Sequence, residues 1–261
     1  MATIRAKGDA STLGTSGADI LYGGPGASRL YGGDGDDILH YSPIGTGPTP
    51  IAAALASSEL SGGTGIDTLH IHGKTAPTKI IVTGKGEGGI HFEDTSGVSQ
   101  GAGHFSGIEK LTVTGSGPLE FHGSWEFTGG IDVTGTAGAD IFQSDSASDI
   151  MRSGGGDDFF FLSGYGGTDT IISGASDSDM FYFDVFGGAD ARILGFNGAG
   201  VDGGDKLFFQ DMSHGRPLLT SIAEVGGRTQ FTVQAAGGDY GPSKVVVDKV
   251  GLVEGVDYFF A

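Results

Sequence analysis

The sequence predicts an all-β protein, a right-handed parallel β-roll or β-helix solenoid, on three observations. A nine-residue pattern recurs along the chain in two arrays. Gly accounts for 52 of 261 residues, and each Gly inside a helix costs about 0.5–1 kcal/mol relative to Ala, so a helical fold is disfavoured. Hydrophobic residues still make up 38% of the chain, which is enough for a core and argues against disorder.

The first array lies between residues 14 and 40. Its three nonapeptides are GTSGADILY, GGPGASRLY and GGDGDDILH, each with Gly at position four and Leu at position eight. Asp19 and Asp37 occupy position six, where the middle copy has Ser28. A further copy, GGTGIDTLH, spans residues 62–70 and has Asp67 at that position.

The second array runs from residue 135 to residue 182, with two short insertions. Its five copies are GTAGADIFQ, SDSASDIMR, SGGGDDFFF, GYGGTDTII and GASDSDMFY. The residues at position six are Asp140, Asp149, Asp158, Asp169 and Asp179. The recurrence of the same features over so many copies predicts a repeat architecture.

The nonapeptide has a direct physical interpretation. Its Gly-rich first part can form a tight turn, and its last three residues can form a short strand with one buried side chain. Two copies then make one coil of a parallel solenoid, so that Asp19 lies above Asp37 and Asp140 above Asp158. Stacked carboxylates repel unless a cation lies between them, and sites made only of oxygen ligands favour calcium. In the alternative interpretation, the solenoid holds no metal and Asp only caps turns.

These arrays resemble the RTX family, the hemolysin-type calcium-binding repeats. The resemblance implies calcium-filled parallel β-rolls with several ions, in which turn carbonyls and the position-six Asp bind each ion. The implied side-chain ligands are Asp19, Asp37, Asp67, Asp140, Asp149, Asp158, Asp169 and Asp179. The implied carbonyl ligands are in the turns at Gly14, Ser16, Gly32 and Asp34. Ser28, Ser146 and Ser153 depart from the family pattern, which predicts weak or empty sites at their turns.

The chain divides into five segments. They are a first array (1–40), a Pro- and Ala-rich loop with a short helix (41–61), coils with one repeat (62–134), the second array (135–188) and a C-terminal cap with a secretion signal (189–261). Between the arrays, alternating residues predict strands at 68–72, 79–83, 89–92, 110–114, 126–128 and 131–134, interpreted as further coils without calcium. Near the end, strands are predicted at 228–234, 244–249 and 256–261.

Charge and composition restrict the partners and the compartment. The formal net charge of −18 leaves no basic surface for nucleic acid, and no run of 18 apolar residues could form a transmembrane segment. There is no Cys, and the first 14 residues lack the apolar core of a signal peptide. The last six residues, VDYFFA, resemble a type I secretion signal. With the repeats, these features predict an extracellular protein exported by type I secretion machinery.

Motifs with a catalytic appearance have simpler explanations. Ser99 lies in GVSQG, but its Gly-rich flanks do not suggest the strand, turn and helix that a nucleophile elbow needs. Residues 84–89 satisfy GxGxxG without a following helix pattern. His70 and His72 could present two nitrogens to zinc or copper, but the sequence identifies no third ligand. Trp125 could stack on a sugar ring, but an aromatic residue of the core is the favoured interpretation. We therefore expect no catalytic residues.

Two functions remain open at this stage. The first is a secreted, non-enzymatic calcium-binding RTX protein that folds on calcium outside the cell and acts in surface or matrix adhesion or host interaction. The second is a carbohydrate-active β-helix enzyme, or its calcium-dependent polysaccharide-binding module. Residues 137–205 contain only two basic residues against 12 Asp, which opposes a site for an anionic polysaccharide there.

Overall fold

The chain folds almost entirely into β-strands. The computed structural model describes residues 1–6, 11–24, 28–42, 58–73, 75, 77–93, 99–123, 129–144, 146–163, 167–174, 177–198, 200, 203–237 and 241–261, without the side chains of 93 and 99–102. In these ranges the one helical element is a 3-10 turn, Val185–Gly187. None of the described helical structure is long and apolar enough to cross a membrane. The chain divides into an N-terminal unit (Met1–Phe121 and Ile131–Ala137) and a C-terminal unit (His122–Gly130 and Gly138–Ala261).

The strands of the N-terminal unit belong to two sheets. They are β1 (Ala2–Arg5), β2 (Thr12–Leu13), β3 (Asp19–Tyr22), β4 (Arg29–Asp34), β5 (Ile38–Tyr41), β6 (Ser58–Thr64), β7 (Thr68–His72), β8 (Thr78–Gly84), β9 (Glu87–Glu93), β10 (Ser99–Ser106), β11 (Lys110–Thr114), β12 (Leu119–His122) and β13 (Asp132–Thr134). One sheet has the parallel order β1-β3-β5-β7-β11-β13. The other begins β2-β4-β6-β10, also parallel.

Leu residues form a regular column in the core of the N-terminal unit. Leu21, Leu39 and Leu69 follow one another across paired strands and are fully buried, as are Leu30 and Leu60 in the other sheet. Each lies at position eight of its repeat or at the equivalent strand position. The predicted column of buried residues is therefore present, and the fold is the predicted all-β parallel β-roll.

Part of the region between the arrays departs from the expected parallel coils. Strands β8, β9 and β10 form an antiparallel meander, in which β9 pairs with both neighbours and Lys85 and Gly86 make the tight turn between β8 and β9. Gly86 has φ of 65°, the left-handed conformation that favours Gly. Strands at 79–83 and 89–92 are confirmed, but the prediction that they form further coils is wrong. A two-residue turn can join only antiparallel strands, whereas a coil needs a longer crossover.

The C-terminal unit also has two sheets. Its strands are β14 (Ile141–Gln143), β15 (Ile150–Arg152), β16 (Phe159–Ser163), β17 (Asp169–Ile172), β18 (Met180–Asp184), β19 (Ala191–Leu194), β20 (Lys206–Gln210), β21 (Leu218–Val225), β22 (Arg228–Gln234), β23 (Ser243–Val247) and β24 (Tyr258–Phe260). One sheet is parallel throughout, in the order β14-β16-β18-β20-β24. The other runs β15-β17-β19-β23 in parallel and ends with antiparallel β22 and β21.

Stacked aromatic rings build the core of the C-terminal unit. The rings of Phe142, Phe160 and Phe181 stack at centroid distances of 4.8 and 5.0 Å, and all three are fully buried. Phe183 and Phe209 continue the aromatic core with a stacked pair at 5.2 Å. Parallel in-register pairing places identical positions of successive coils side by side, which is the arrangement that ring stacking requires.

Two further predictions concern the flanks of the arrays. Residues 43–57 of the predicted loop and helix lie outside the described residues, and residues 58–61 belong to strand β6 instead of a helix. The predicted strand at 126–128 also lies outside them, with Trp125. At the end of the chain, Tyr258–Phe260 is a strand that pairs in parallel with β20. Because its aromatic rings stack on those of β20, the last strand extends the roll.

Candidate calcium sites

The position-six Asp residues form stacks at the turns that precede the strands. We call Asp19, Asp37 and Asp67 the Asp19 stack, Asp140, Asp158, Asp179 and Asp205 the Asp158 stack, and Asp149 with Asp169 the Asp149 stack. Every member is buried. The structure thus brings all eight predicted Asp residues into stacks, and it adds Asp205, which the sequence analysis missed.

In seven of the nine members, Oδ1 accepts a hydrogen bond from a backbone N–H of a neighbouring strand or coil. The backbone N–H of Asp19 donates to Oδ1 of Asp37 at 2.7 Å, and that of Asp37 donates to Oδ1 of Asp67 at 2.7 Å. In the Asp158 stack the equivalent bonds measure 2.7–2.9 Å, and the Asp149 stack has one of 3.0 Å. These bonds confirm that residues 18 apart, such as Asp19 and Asp37, lie on adjacent coils.

The second carboxylate oxygen, Oδ2, is the atom that could bind a cation. Oδ2 of Asp37 and Oδ2 of Asp67 are buried without a hydrogen-bond partner among the described residues. A buried, unsatisfied carboxylate oxygen is unfavourable by about 1–3 kcal/mol or more, unless a proton or a cation neutralises it. Asp19 differs, because its Oδ2 accepts from the backbone N–H and the hydroxyl of Thr15, at 2.6 and 2.8 Å. Thr15 occupies the repeat position where the other two copies have Gly33 and Gly63.

Backbone oxygens converge beside the same carboxylates. A Cβ atom placed on Gly32 would overlap both Oδ2 of Asp37 and the carbonyl oxygen of Gly62. A Cβ on Gly62 would likewise overlap Oδ2 of Asp67. Gly at these positions therefore leaves space in which a carboxylate oxygen and a carbonyl oxygen face each other. Mixed carboxylate and carbonyl oxygens are the ligands that calcium prefers, so the residues present fit that ion.

Burial changes the titration of the stacked carboxyl groups. Burial, together with the neighbouring carboxylates of Asp179 and Asp140, raises the pKa of Asp158 to about 8. Burial likewise raises the pKa of Asp179 to about 7 and those of Asp205 and Asp67 to about 6. The pKa of Asp19 is lowered, chiefly by its hydrogen bonds to Thr15. Without a cation, the buried carboxyls thus hold protons more strongly than carboxyls in water do.

The Asp158 stack ends in the densest group of carboxylates. Oxygens of Asp177, Asp179 and Asp205 lie within 4.8 Å of one another. The hydroxyl of Ser173 donates to Oδ2 of Asp179 at 2.6 Å and lies 3.2 Å from Oδ2 of Asp205. The backbone N–H of Asn197 also donates to Oδ2 of Asp205, at 2.9 Å. The group is thus held by neutral donors and contains no basic side chain to balance its charge.

The predicted carbonyl ligands occupy the turns or the strand ends next to them. Gly14 and the exposed Ser16 lie in the turn before β3, whereas Gly32 and Asp34 belong to the end of β4. Oδ1 of Asp34 accepts a hydrogen bond from the hydroxyl of Thr64 at 2.8 Å. Calcium binding by these four residues stays a prediction.

Two acidic residues that the sequence analysis missed belong to the same pattern. Glu109 extends the Asp19 stack, because its Oε2 accepts the backbone N–H of Asp67 at 2.9 Å. Asp205 extends the Asp158 stack through the N–H of Asp179. Both are followed, two residues later, by a buried Leu, at Leu111 and Leu207. Both also follow a Gly at position four of the nonapeptide, Gly107 or Gly203, so a search that allowed Glu at position six would have found both residues.

The other motifs considered in the sequence analysis can now be placed in the structure. The side chain of Ser99 lies outside the described residues, as do residues 97 and 98 of its motif. Residues 84–89 contain the turn between β8 and β9, in agreement with the interpretation of that motif as a turn. His70 and His72 lie on the outer face of β7 and are joined there by His40.

Comparisons with known proteins agree with the repeat pattern. The RTX calcium-binding nonapeptide repeat matches in four copies, at residues 13–42 and 132–160. No curated protein matches the chain. Among solved structures, the extracellular lipase LipA from Serratia marcescens is similar at 18% sequence identity and a TM-score of 0.26. The similarity covers 95% of this chain and 39% of the lipase. The chain is thus identified as a carrier of RTX calcium-binding nonapeptide repeats, built into a parallel β-roll.

Proposed function

We propose that this chain is a secreted, non-enzymatic protein that binds several calcium ions and folds when it meets calcium outside the cell. The unpartnered, buried Oδ2 atoms of Asp37 and Asp67 are the observation that carries the proposal. In this proposal the Asp19, Asp158 and Asp149 stacks supply the side-chain ligands. Backbone carbonyls of the adjoining turns supply the rest.

Calcium would act by removing the repulsion within the stacks. At low calcium, deprotonated carboxylates in buried stacks repel one another, and the chain gains by staying unfolded. At extracellular calcium concentrations, each ion offsets two negative charges and links adjacent turns. Metal binding and folding are then one process, as in other small metal-dependent domains.

In this proposal the chain is exported by type I secretion machinery before it folds, and its location is extracellular. The last strand, Tyr258–Phe260, pairs with β20, and its rings stack on Phe208 and Phe209 at 4.9 and 5.3 Å. Secretion machinery could read this segment only in a chain that has not folded. Low calcium inside the cell would keep it available, and calcium outside would then close the roll.

An exposed strand supports a role in contact with a cell surface, a matrix or a host partner. All eight residues of β21 are exposed, including Leu218, Ile222 and Val225. This strand lies at the end of its sheet and pairs only with β22 among the described strands. An exposed, partly hydrophobic edge strand can add a strand of a partner to its sheet.

A calcium titration followed by circular dichroism tests the proposal. Protein freed of calcium by a chelator should gain most of its β-signal as calcium rises to about 10 mM, the range of extracellular modules. Magnesium at equal concentration is the control and should not replace calcium, because it demands a smaller octahedral site. A β-signal that is complete without calcium, and does not change with it, would contradict calcium-coupled folding.

A second assay tests the absence of enzymatic activity. The calcium-loaded protein is incubated with alginate, pectate and neutral glycans, and products and binding are measured. No turnover is expected. Turnover or tight glycan binding would instead support a carbohydrate-active protein.

A further inference from the structure

Three His side chains meet on the outer face of the N-terminal unit. His40 lies on β5, and His70 and His72 lie on the adjacent strand β7. Parallel pairing of these strands places His40 directly opposite His70. His70 and His72 are two residues apart and therefore share one face of their strand. The three rings are half-buried and contact one another, while Leu39, Leu69 and Ile71 between them point into the core.

The ring nitrogens converge on one point. One nitrogen from each His lies within 4.8 Å of the other two. Nδ1 of His40 and Nε2 of His72 are 3.0 Å apart, with their rings stacked at 5.2 Å, and His70 approaches His40 edge-on at 4.9 Å. Two nitrogens bound tetrahedrally to zinc at 2.0–2.1 Å lie about 3.3 Å apart. Small side-chain rotations would therefore bring all three nitrogens to a common ion.

A neighbouring hydroxyl orients one of the rings. Oγ1 of Thr114 lies 3.4 Å from Nδ1 of His72 and 3.5 Å from the carbonyl oxygen of Ile71. If the hydroxyl donates to that carbonyl, it can accept the Nδ1 proton of His72, which leaves the Nε2 lone pair directed at the cluster. Metal-binding His rings commonly have such an outer partner on their second nitrogen.

The surroundings keep the cluster uncharged. Burial, together with the two neighbouring imidazoles, lowers the pKa of His40 to about 4. Burial also lowers the pKa of His70. Tyr22 stacks on His40 at 4.4 Å, and the guanidinium of Arg5 lies 4.0 Å from the Tyr22 ring, where its charge also lowers the pKa of His40. Neutral imidazole is the form that binds metal ions.

We propose that His40, His70 and His72 form a binding site for a divalent transition-metal ion such as zinc, separate from the calcium stacks. Three imidazoles suit zinc, copper, nickel or cobalt, whereas calcium requires oxygen ligands. Three protein ligands leave a fourth tetrahedral position open to water or to an external ligand. The half-exposed position of the rings leaves that coordination site accessible from solvent.

Zinc binding by the untagged protein in saturating calcium tests the site. Isothermal titration should show one zinc ion per chain, with a dissociation constant of about 1 μM or tighter. Cobalt should give the visible bands of a tetrahedral ion, and zinc should abolish them. His40→Gln, His70→Gln and His72→Gln should each weaken binding by about 100-fold, and Thr114→Val by about 10-fold.

His104→Gln is the matched control, because His104 is exposed on β10 and outside the cluster. Circular dichroism in calcium checks that each variant is folded. Wild-type affinity weaker than about 100 μM would overturn the proposal. So would equal losses in His104→Gln and His70→Gln, which would indicate nonspecific binding to surface His. Because calcium-induced folding is measured first, a failure of zinc binding is distinguishable from a failure of the proposed calcium function.

Discussion

The two units place their acidic residues differently along the edges of their sheets. In the N-terminal unit, the turns before one sheet carry the Asp19 stack, whereas Ser28 and Ser58 occupy the equivalent positions before the other. The backbone N–H of Ser28 donates to Oγ of Ser58 at 3.1 Å, so this edge is joined without charge. In the C-terminal unit both edges carry carboxylates, in the Asp158 and Asp149 stacks. Calcium is therefore expected to hold two edges of the C-terminal unit but only one edge of the N-terminal unit.

The cores of the two units also differ. In the N-terminal unit, Leu residues form the column at position eight, beside single buried aromatic residues such as Tyr41 and Phe105, and an antiparallel meander adds local pairing that a solenoid lacks. The C-terminal unit relies on rings such as Phe160 and Phe181, stacked at 5.0 Å across adjacent coils. Ring stacking depends on correct coil register, and calcium between the turns would maintain that register. From this comparison we expect the C-terminal unit to depend on calcium more strongly than the N-terminal unit does.

Calcium removal should have the largest effect, and this effect should differ between the two units. Each occupied site with a dissociation constant of about 0.1 mM contributes about 2.7 kcal/mol at about 10 mM calcium. Hydrogen exchange measured by mass spectrometry in chelator should therefore show a larger loss of protection in β16 and β18 than in β4 and β6. Equal loss in both units would refute the difference.

Changing pH should have the second largest effect, since it sums over several carboxyls. The folded-state pKa values of Asp158, Asp179 and Asp205, about 8, 7 and 6, exceed the unfolded value of about 3.9. Their stabilisation of the calcium-free fold is complete below about pH 4 and is lost as pH rises through 6 to 8. The urea midpoint of chelated protein should thus be higher at pH 5 than at pH 8.

The same measurement in calcium provides the contrast. Calcium binding requires deprotonated carboxylates, so the urea midpoint in saturating calcium should rise from pH 5 to pH 8. A calcium-free midpoint that also rises over this range would show that the stacked carboxyls are ionised without penalty.

The substitution Asp158→Asn should change the free energy of unfolding with opposite signs in the two conditions. The amide keeps an oxygen to accept the N–H of Asp140 but carries no charge. In calcium the variant should lose about 2–3 kcal/mol, the contribution of one site. In chelator it should be more stable than the wild type, because repulsion from Asp179 and Asp140 is removed. Urea denaturation measures both, with Glu87→Gln on the exposed meander as control.

The substitution Ser58→Ala should have the smallest effect, and one independent of calcium. Oγ of Ser58 accepts from the N–H of Ser28 and from the hydroxyl of Tyr41, both at 3.1 Å. Loss of this acceptor leaves buried donors unsatisfied and should cost about 1–3 kcal/mol with or without calcium. The exposed Ser221→Ala is the control. A cost that appears only in calcium would show that the serine edge also takes part in metal binding.

Much of the candidate site could be predicted because the repeat is local. The spacing of Asp19 and Asp37, or of Asp140 and Asp158, equals one coil of two nonapeptides, so their stacking follows from the period. The stacking of Asp67 is harder to predict, because 30 residues separate it from Asp37. The backbone N–H of Asp37 nevertheless donates to Oδ1 of Asp67 at 2.7 Å. The strands that follow these two residues still pair in register, with Ile38 opposite Thr68 and Leu39 opposite Leu69.

Other features depended on distant pairing. His40 and His70 both occupy position nine of a repeat, so the pattern contained a signal that they could meet, but the insertion between them concealed it. The antiparallel order of β8, β9 and β10 was missed because alternation predicts strands without their direction. Asp205 is a different case, because residues 200–208, GVDGGDKLF, already carry the repeat pattern with Gly203 at position four.

The sequence by itself determined the nine-residue unit, the all-β class and the Asp and Leu columns, because each follows from a short period in which every copy repeats the same local preferences. Only the tertiary structure decided which edge carries charge, which carboxylate oxygens stay without a partner, and that three His residues share one face. These outcomes depend on which strands pair, and pairing is set by how the intervening loops and the core fit together over long distances. Local periodicity cannot specify that fit.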